Sequence, residues 1–146
     1  AAIAKTGLGS SAALVTSLVG ALYYYLCGSS TPPPPRALIH NAAQLAHCAA
    51  QGKIGSGFDV SAAVYGSHIY TRFSKSLLAA PLQRWPPAAH SDGVAIAAAV
   101  AADWDSGCST FRLPRHFQLL VGDVSGGSST PSMVSKVLAW RKTDGD

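Results

Sequence analysis

The chain has 146 residues, of which 12% are charged, and its formal net charge is +4 at neutral pH. A chain of this length can bury a core within one domain. Its positive charge is small and scattered, which fits an anionic small-molecule ligand and excludes a nucleic-acid partner, since no basic run interleaved with aromatic residues is present. Its three cysteines have neither zinc spacing nor a disulfide framework, so we expect a reducing compartment, with the cytoplasm first.

Glycines and hydroxyls crowd residues 5–14, directly ahead of an apolar run. Gly7 and Gly9 permit tight turns, and Ser10 or Ser11 can cap the helix that follows. A capped helix start behind glycines offers free N–H groups and a positive dipole, both of which favour phosphate. From this stretch alone, an ordinary connecting loop with a serine cap is an equal alternative.

An uncharged helix is expected over residues 10–26. Its apolar side chains recur at helical spacing on several faces, which predicts burial on most sides. Its apolar part, residues 12–27, is shorter than the roughly 20 residues that a membrane span requires. We therefore expect a buried helix and no membrane partner.

Two further helices flank a second glycine-rich loop. Residues 36–51 carry apolar side chains at helical spacing, and GKIGSG follows at residues 52–57. A short helix is predicted over residues 59–65. Asp59 lies near its start, where it can act as an N-cap as well as in chemistry, and Gly66 ends the helix.

The second half of the sequence predicts strands and a third loop. Residues 68–73 alternate, with Ile69, Thr71 and Phe73 on one side, which is typical of a strand. Residues 74–93 contain three prolines and should be mostly irregular, and residues 93–102 are either helical or a weakly structured insertion. Residues 111–114 are strand-like, and residues 117–122 predict a buried strand. GGSSTP at residues 126–131 leads into an amphipathic helix over residues 132–141, with Pro131 in its first turn.

Three stretches resemble the GHMP kinases, a superfamily of small-molecule kinases. GLGSSAA at residues 7–13 resembles their ATP phosphate loop. GKIGSGFDVSAAVYGS at residues 52–67 is similar, almost letter for letter, to the phosphomevalonate kinases, and GGSSTPSMV at residues 126–134 resembles their plant and algal form. The resemblance implies an α+β, two-layer fold of the ribosomal protein S5 domain 2-like type.

The resemblance also implies a reaction, the transfer of the ATP γ-phosphoryl group to 5-phosphomevalonate with Mg²⁺ accompanying ATP. It places Asp59 at the reacting centre. Because the acceptor phosphate has a second pKa of about 6 and is largely dianionic at neutral pH, we expect Asp59 to orient a lysine and fix local charge rather than act as a strong base. The other implied residues are Lys5, Gly7, Leu8, Gly9, Ser10, Ser11 and Ala12 for ATP, Lys53, Ser56, Gly57, Ser128, Ser129 and Thr130 for the substrate, and Ser10 or Ser11 for Mg²⁺.

Departures from the family pattern leave alternatives open. The family's first strands and its C-terminal domain have no counterpart in residues 1–146, so we expect the central part of a longer enzyme, inactive in isolation. Many GHMP kinases place a Mg²⁺-binding glutamate where this chain reads His47-Cys48, and we expect each histidine to be a surface or locally hydrogen-bonded imidazole. Another GHMP kinase, such as mevalonate kinase, and a non-catalytic fragment are the alternatives. The peroxisome is a second possible location, and the oligomeric state is unknown.

Overall fold

The computed structural model describes residues 9–28, 32–122 and 130–144. The chain divides into two compact units, one of residues 11–118 and one of residues 1–10 with 119–146. Helices dominate, and the two strands form one small sheet. The elements are α1 (Ser10–Cys27), α2 (Arg36–Gln51), α3 (Phe58–Tyr65), β1 (His68–Thr71), α4 (Ser76–Gln83), α5 (His90–Ala101), β2 (Gly107–Thr110) and α6 (Thr130–Asp144).

Helix α2 is the central element of the larger unit, and its bounds match the prediction. Helices α3, α4 and α5 all pack against it. Its Leu45 and Cys48 form a buried cluster with Phe73 and Leu78, and partly buried apolar residues of the second loop and of α5 pack around this cluster. Burial of this apolar surface is the main favourable contribution to folding. The helix ends at Gly52, which adopts a left-handed conformation with φ of 63°.

Helix α1 has the predicted length, but the prediction of burial on most sides is wrong. Ala12 packs fully buried against Ala43 of α2 and Val60 of α3, with Val15 and Val19 beside them. The leucines and tyrosines on the remaining faces of the helix are largely exposed. The apolar spacing therefore identified a helix correctly, whereas the number of neighbours around it depends on tertiary packing. Contrary to the expectation that its apolar part is too short, α1 is long and apolar enough, by length and composition alone, to cross a membrane, a test that core helices of soluble proteins also pass.

Strands β1 and β2 pair antiparallel, with His68 opposite Thr110 and Thr71 opposite Gly107. The predicted strand over residues 68–73 is confirmed in part, because it ends two residues early, at Thr71. His68 and Tyr70 are the less exposed pair, because α3 packs on that side of the strand. Phe73 lies beyond the strand and is buried in the α2–α4 cluster instead.

Three predictions in the second half require correction. Residues 76–83 form α4 despite Pro81, because Leu78 and Pro81 lie one turn apart and are both buried. Of the two alternatives left open for residues 93–102, the helix is correct, and this helix, α5, begins earlier than expected, at His90. The second strand occupies residues 107–110 rather than 111–114. Residues 117–122 form no strand and are exposed, since no strand among the described residues pairs with them.

Helix α6 is longer than predicted at both ends, and Pro131 lies in its first turn as expected. The described side chains of α6, residues 132–143, are all exposed. Its predicted apolar face is therefore not covered within the part of the chain that the structure describes.

Candidate functional site

The second glycine-rich loop, residues 52–57, is held in place by β1 and the residue that follows it. The hydroxyl group of Tyr70 donates a hydrogen bond to the carbonyl oxygen of Ser56 at 3.0 Å. The guanidinium group of Arg72 donates to the carbonyl oxygen of Gly55 at 2.8 Å. The side chains of Lys53 and Ser56 are exposed. The backbone of the loop is thus fixed while its polar side chains face outward.

Gly57 joins the loop to α3 and leaves no room for a side chain. The residue is buried, with φ of 83°, a conformation that favours glycine. A Cβ at this position would lie 2.7 Å from Cε1 of Phe73 and 2.8 Å from Oε1 of Gln44. Gly57 is also the N-cap residue of α3, so Asp59 is not the N-cap and lies in the first turn of the helix instead.

The carboxylate of Asp59 is oriented by its own helix. Its Oδ1 accepts a hydrogen bond from the backbone N–H of Val60 at 3.0 Å. The positive end of the helix dipole favours a negative charge here. The side chain keeps 28% of its surface exposed, and Oδ2 lies 3.9 Å from Nδ1 of His47. A partly exposed, oriented carboxylate is therefore available to a ligand.

His47 is the functional candidate that the sequence interpretation missed, because it was expected to be a surface or locally hydrogen-bonded imidazole like the other histidines. Its side chain is only 6% exposed. Nε2 lies 2.9 Å from Nε2 of Gln51 and 3.4 Å from Oγ of Ser11. His47 shares one face of α2 with His40 and Ala43, but this spacing does not indicate its contacts to Ser11 and Asp59.

The contact with Gln51 indicates one tautomer of a neutral His47 ring. The amide nitrogen of Gln51 can only donate, so Nε2 of a neutral His47 ring accepts, and the proton resides on Nδ1. Nδ1 is the atom that faces Asp59. One ring therefore lies between Ser11 at the start of α1 and Asp59 at the start of α3.

The remaining predicted residues are placed as follows. Gly9, with φ of 78°, precedes α1, and Ser10 and Ser11 lie inside its first turn rather than at the cap, which corrects the predicted capping role. The side chain of Ala12 is fully buried. The residues Lys5, Gly7, Leu8, Ser128 and Ser129 lie outside the described residues, as does the side chain of Thr130.

Two open cavities are lined by residues of the second loop and of its neighbouring elements. One of about 480 Å³ is lined by Phe58 at the start of α3, by His68 and Tyr70 of β1, and by Phe111. The other, about 460 Å³, lies between α2 and α4, and Lys53 is its cationic residue. Lys53 is therefore next to a space large enough for a small anionic molecule.

The oxygen donors of the site suit magnesium better than a softer metal. Within the described residues, no three histidine, cysteine or acidic side chains form a metal-binding group. The Ser11 hydroxyl and the Asp59 carboxylate are hard ligands, and Mg²⁺ is commonly held by one or two such protein groups together with substrate phosphates. The chemistry of these two groups therefore fits a hard cation such as Mg²⁺.

Comparison with known proteins identifies relatives of this chain. Residues 3–67 match the N-terminal domain of the GHMP kinases. The chain is 50% identical to a phosphomevalonate kinase of Aspergillus fumigatus over 94% of its length, and 41% identical to that of Candida albicans over 96%. It is 43% identical to the peroxisomal phosphomevalonate kinase of Arabidopsis thaliana over 97% of its length.

These matches cover only part of each relative. The chain spans 30% of the Aspergillus and Arabidopsis proteins and 32% of the Candida protein. No solved structure matches the chain. The chain is thus a homologue of phosphomevalonate kinases that corresponds to about a third of their length.

Proposed function

We propose that this chain, a homologue of phosphomevalonate kinases, is part of an enzyme that transfers the γ-phosphoryl group of ATP to 5-phosphomevalonate. The product is 5-diphosphomevalonate, a step in the mevalonate route to isoprenoids. The observation that carries the proposal is the placement of Ser11 and Asp59 on opposite nitrogens of one buried ring, at 3.4 and 3.9 Å. This arrangement joins the end of the first glycine loop to the end of the second.

Phosphoryl transfer depends on positioning and on charge neutralisation more than on covalent help from the protein. The first loop and the first turn of α1 offer backbone N–H groups to ATP, from Lys5, Gly7, Leu8, Gly9, Ser10, Ser11 and Ala12. An oxygen of the acceptor phosphate attacks the γ-phosphorus, the bond from that phosphorus to the β,γ-bridging oxygen breaks, and ADP leaves. Since the acceptor phosphate is already largely dianionic at neutral pH, the step needs no strong base. Asp59 fixes the local charge at the reacting centre.

The acceptor is held by the second and third loops in this proposal. Lys53 neutralises the phosphate of 5-phosphomevalonate, and Ser56 and Gly57 supply polar contacts from the fixed loop. From the resemblance of their sequence, Ser128, Ser129 and Thr130 are also assigned to the acceptor phosphate in this proposal. Ser10 or Ser11 holds Mg²⁺, which neutralises charge on the ATP phosphates when it is bound.

The type of fold and the cellular location are part of the same proposal. We infer a two-layer α+β arrangement of the ribosomal protein S5 domain 2-like type, with residues 1–146 as the central part of the enzyme. Mixed helices with a small antiparallel sheet support this inference. The free thiols of Cys48 and Cys108 suit a reducing compartment, so we place the protein in the cytoplasm or the peroxisome.

A coupled assay that follows ADP release tests the activity. The full-length protein is supplied with Mg-ATP and either mevalonate or 5-phosphomevalonate. We expect turnover with 5-phosphomevalonate and little with mevalonate. Turnover of mevalonate alone would identify a different GHMP kinase, and turnover of neither would overturn the proposal.

The isolated chain is proposed to be inactive. The large apolar side chains on the outer faces of α1, such as Leu14, Leu18 and Leu26, are 70%, 55% and 77% exposed, which favours further contacts in the working enzyme. Calorimetry with Mg-ATP on residues 1–146 beside the full-length protein checks this. We expect binding heat only from the full-length protein, and equal affinity of both would contradict the proposal.

A further inference from the structure

We propose that His47 is a positioning residue of the phosphoryl-transfer site, whose ring holds the Ser11 hydroxyl and the Asp59 carboxylate in a fixed relation. The inference rests on the proposed function and adds to it a residue that touches neither phosphate. Its basis is the pair of contacts from Nε2 to Ser11 at 3.4 Å and from Nδ1 to Asp59 at 3.9 Å.

Three helices contribute one buried small residue each to a cluster beside His47. Ala12, Ala43 and Val60 are all fully buried and pack together. Ala12 directly follows Ser11, Val60 directly follows Asp59, and Ala43 lies one turn before His47 on α2. The small alanine side chains let the helices approach closely, and the histidine ring spans the gap between the two polar groups just beside this contact.

The ring has a long hydrogen-bond contact to Ser11 at 3.4 Å and a charge–dipole contact to Asp59 at 3.9 Å. The single lone pair of Nε2 is engaged by Gln51 at 2.9 Å, and the Ser11 hydroxyl shares it as a second, longer donor at 3.4 Å, which leaves the lone pairs of the hydroxyl oxygen free to face a cation. The Nδ1–H group faces Oδ2 of Asp59, while Oδ1 is held by the backbone N–H of Val60. The ring thus limits the rotation of a carboxylate that would otherwise be fixed on one oxygen only.

Gln51 keeps the ring itself in place. Its amide nitrogen donates to Nε2 at 2.9 Å from one turn further along α2. The His47 side chain is nearly excluded from solvent, so water cannot easily replace either contact. Partners that orient ligating or reacting groups in this way typically contribute 10- to 100-fold to affinity or activity, by general order of magnitude.

Two polar substitutions separate the two contacts. His47→Asn keeps an N–H group near the position of Nδ1, and His47→Gln keeps a polar group near the position of Nε2. His47→Leu removes both at similar volume. His90→Asn, at an exposed residue at the start of α5, is the control for loss of an imidazole. All four are made in the full-length protein and compared with the wild type.

Steady-state kinetics with Mg-ATP and 5-phosphomevalonate, together with thermal unfolding, form the main test. We expect His47→Leu to lower kcat by about 10- to 100-fold with KM changed less than about threefold, since an oriented group acts in the transition state. His47→Asn should recover more of kcat than His47→Gln if the Asp59 contact dominates. If His47→Leu fails to fold, the kcat values of the Asn and Gln variants decide, and values within about twofold of wild type for both would overturn the inference.

A second readout does not depend on activity. Nitrogen-15 spectra of histidine-labelled full-length protein should show His47 with a protonated Nδ1 and an unprotonated Nε2, and Asp59→Asn should shift the Nδ1 signal. A protonated Nε2 would overturn the inference.

The kinetic results distinguish failure of the proposed function from failure of the His47 inference. A wild type that does not turn over 5-phosphomevalonate overturns the proposed function, and the role of His47 falls with it. An active wild type with all three His47 variants within about twofold of its kcat, or changed only in KM, overturns the His47 inference alone.

Discussion

The hydroxyl group of Tyr70 on β1 lies 3.0 Å from the carbonyl oxygen of Ser56 and donates a hydrogen bond to it. The strand therefore supports the loop from which the proposed substrate-binding side chains project. Burial is the main cause that raises the pKa of Tyr70 above its ordinary value, so the phenol keeps its proton and remains a donor throughout the working pH range.

Tyr70→Phe removes this hydrogen bond and leaves the ring. We expect the free energy of unfolding to fall by about 0.5–1.5 kcal/mol, the usual net contribution of one hydrogen bond. KM for 5-phosphomevalonate should rise, because the loop that carries Lys53 loses a restraint. Tyr24→Phe, on an exposed face of α1, is the control. Chemical denaturation and steady-state kinetics measure both effects, and equal behaviour of the two variants would contradict the role of Tyr70.

Gly57→Ala tests the close packing at the start of α3. The new Cβ would meet Phe73 and Gln44 at distances that real Cβ atoms do not adopt, and φ is positive as well. We expect a loss of about 2–4 kcal/mol in the free energy of unfolding. Gly52→Ala also has positive φ but nothing within 4 Å, so it should cost only about 1 kcal/mol. Similar losses in the two variants would show that packing at Gly57 does not matter.

The burial of His40 leads us to predict that the stability of the fold depends on pH. Burial is the main cause that lowers its pKa below the ordinary 6.5, because charging the ring inside the protein is unfavourable. Its Nδ1 donates to Oδ1 of Asn41 at 3.1 Å, and the described residues offer Nε2 no partner. The folded state thus binds the proton less tightly than the unfolded state does.

The resulting stability is fully present above about pH 6.5 and is lost as the pH falls from there through the lower pKa of the folded state. His40→Phe removes this titration and should flatten the decline in melting temperature between pH 7.5 and pH 5. His90→Asn, with its exposed ring, should leave the decline unchanged. An identical pH profile for His40→Phe and wild type would contradict the assignment.

Lys53→Gln tests the proposed acceptor site. Removing a charge that neutralises a phosphate should raise KM for 5-phosphomevalonate by about 10- to 100-fold, since one charge-assisted hydrogen bond contributes about 1.5–3 kcal/mol. KM for ATP should change much less. Lys75→Gln, an exposed lysine just before α4, is the matched control. Kinetics at fixed ionic strength decide, and an unchanged KM would exclude Lys53 from the site.

The sequence predicted the helices next to the loops well, because their signals are local. Apolar spacing and Gly52 set the bounds of α2, and Gly66 ended α3 as expected. Helix α4 was missed because the three prolines of residues 74–93 suggested an irregular chain. Only Pro81 lies inside the helix, and its burial compensates for the lost hydrogen bond. Residues 117–122 have the composition of a strand, but composition cannot supply the neighbouring strand that would pair with them.

The candidate site was predictable only in part. The glycines and Asp59 have a recognisable pattern along the chain. His47 contacts Ser11, which lies 36 positions before it in the sequence, and Asp59, which lies 12 positions after it. No local pattern in the sequence indicates these contacts. The burial of His47 follows from the packing of α1 and α3 on α2, which periodicity alone does not determine.

The most direct test of the central claim is the turnover of Asp59→Asn in the full-length protein, with Asp103→Asn at an exposed carboxylate as the control. Asparagine keeps the size of the side chain and removes its charge. We predict that kcat with Mg-ATP and 5-phosphomevalonate falls by about 100-fold or more while the melting temperature stays near that of wild type. Near-full turnover of Asp59→Asn would contradict the claim that Asp59 fixes charge at the reacting centre.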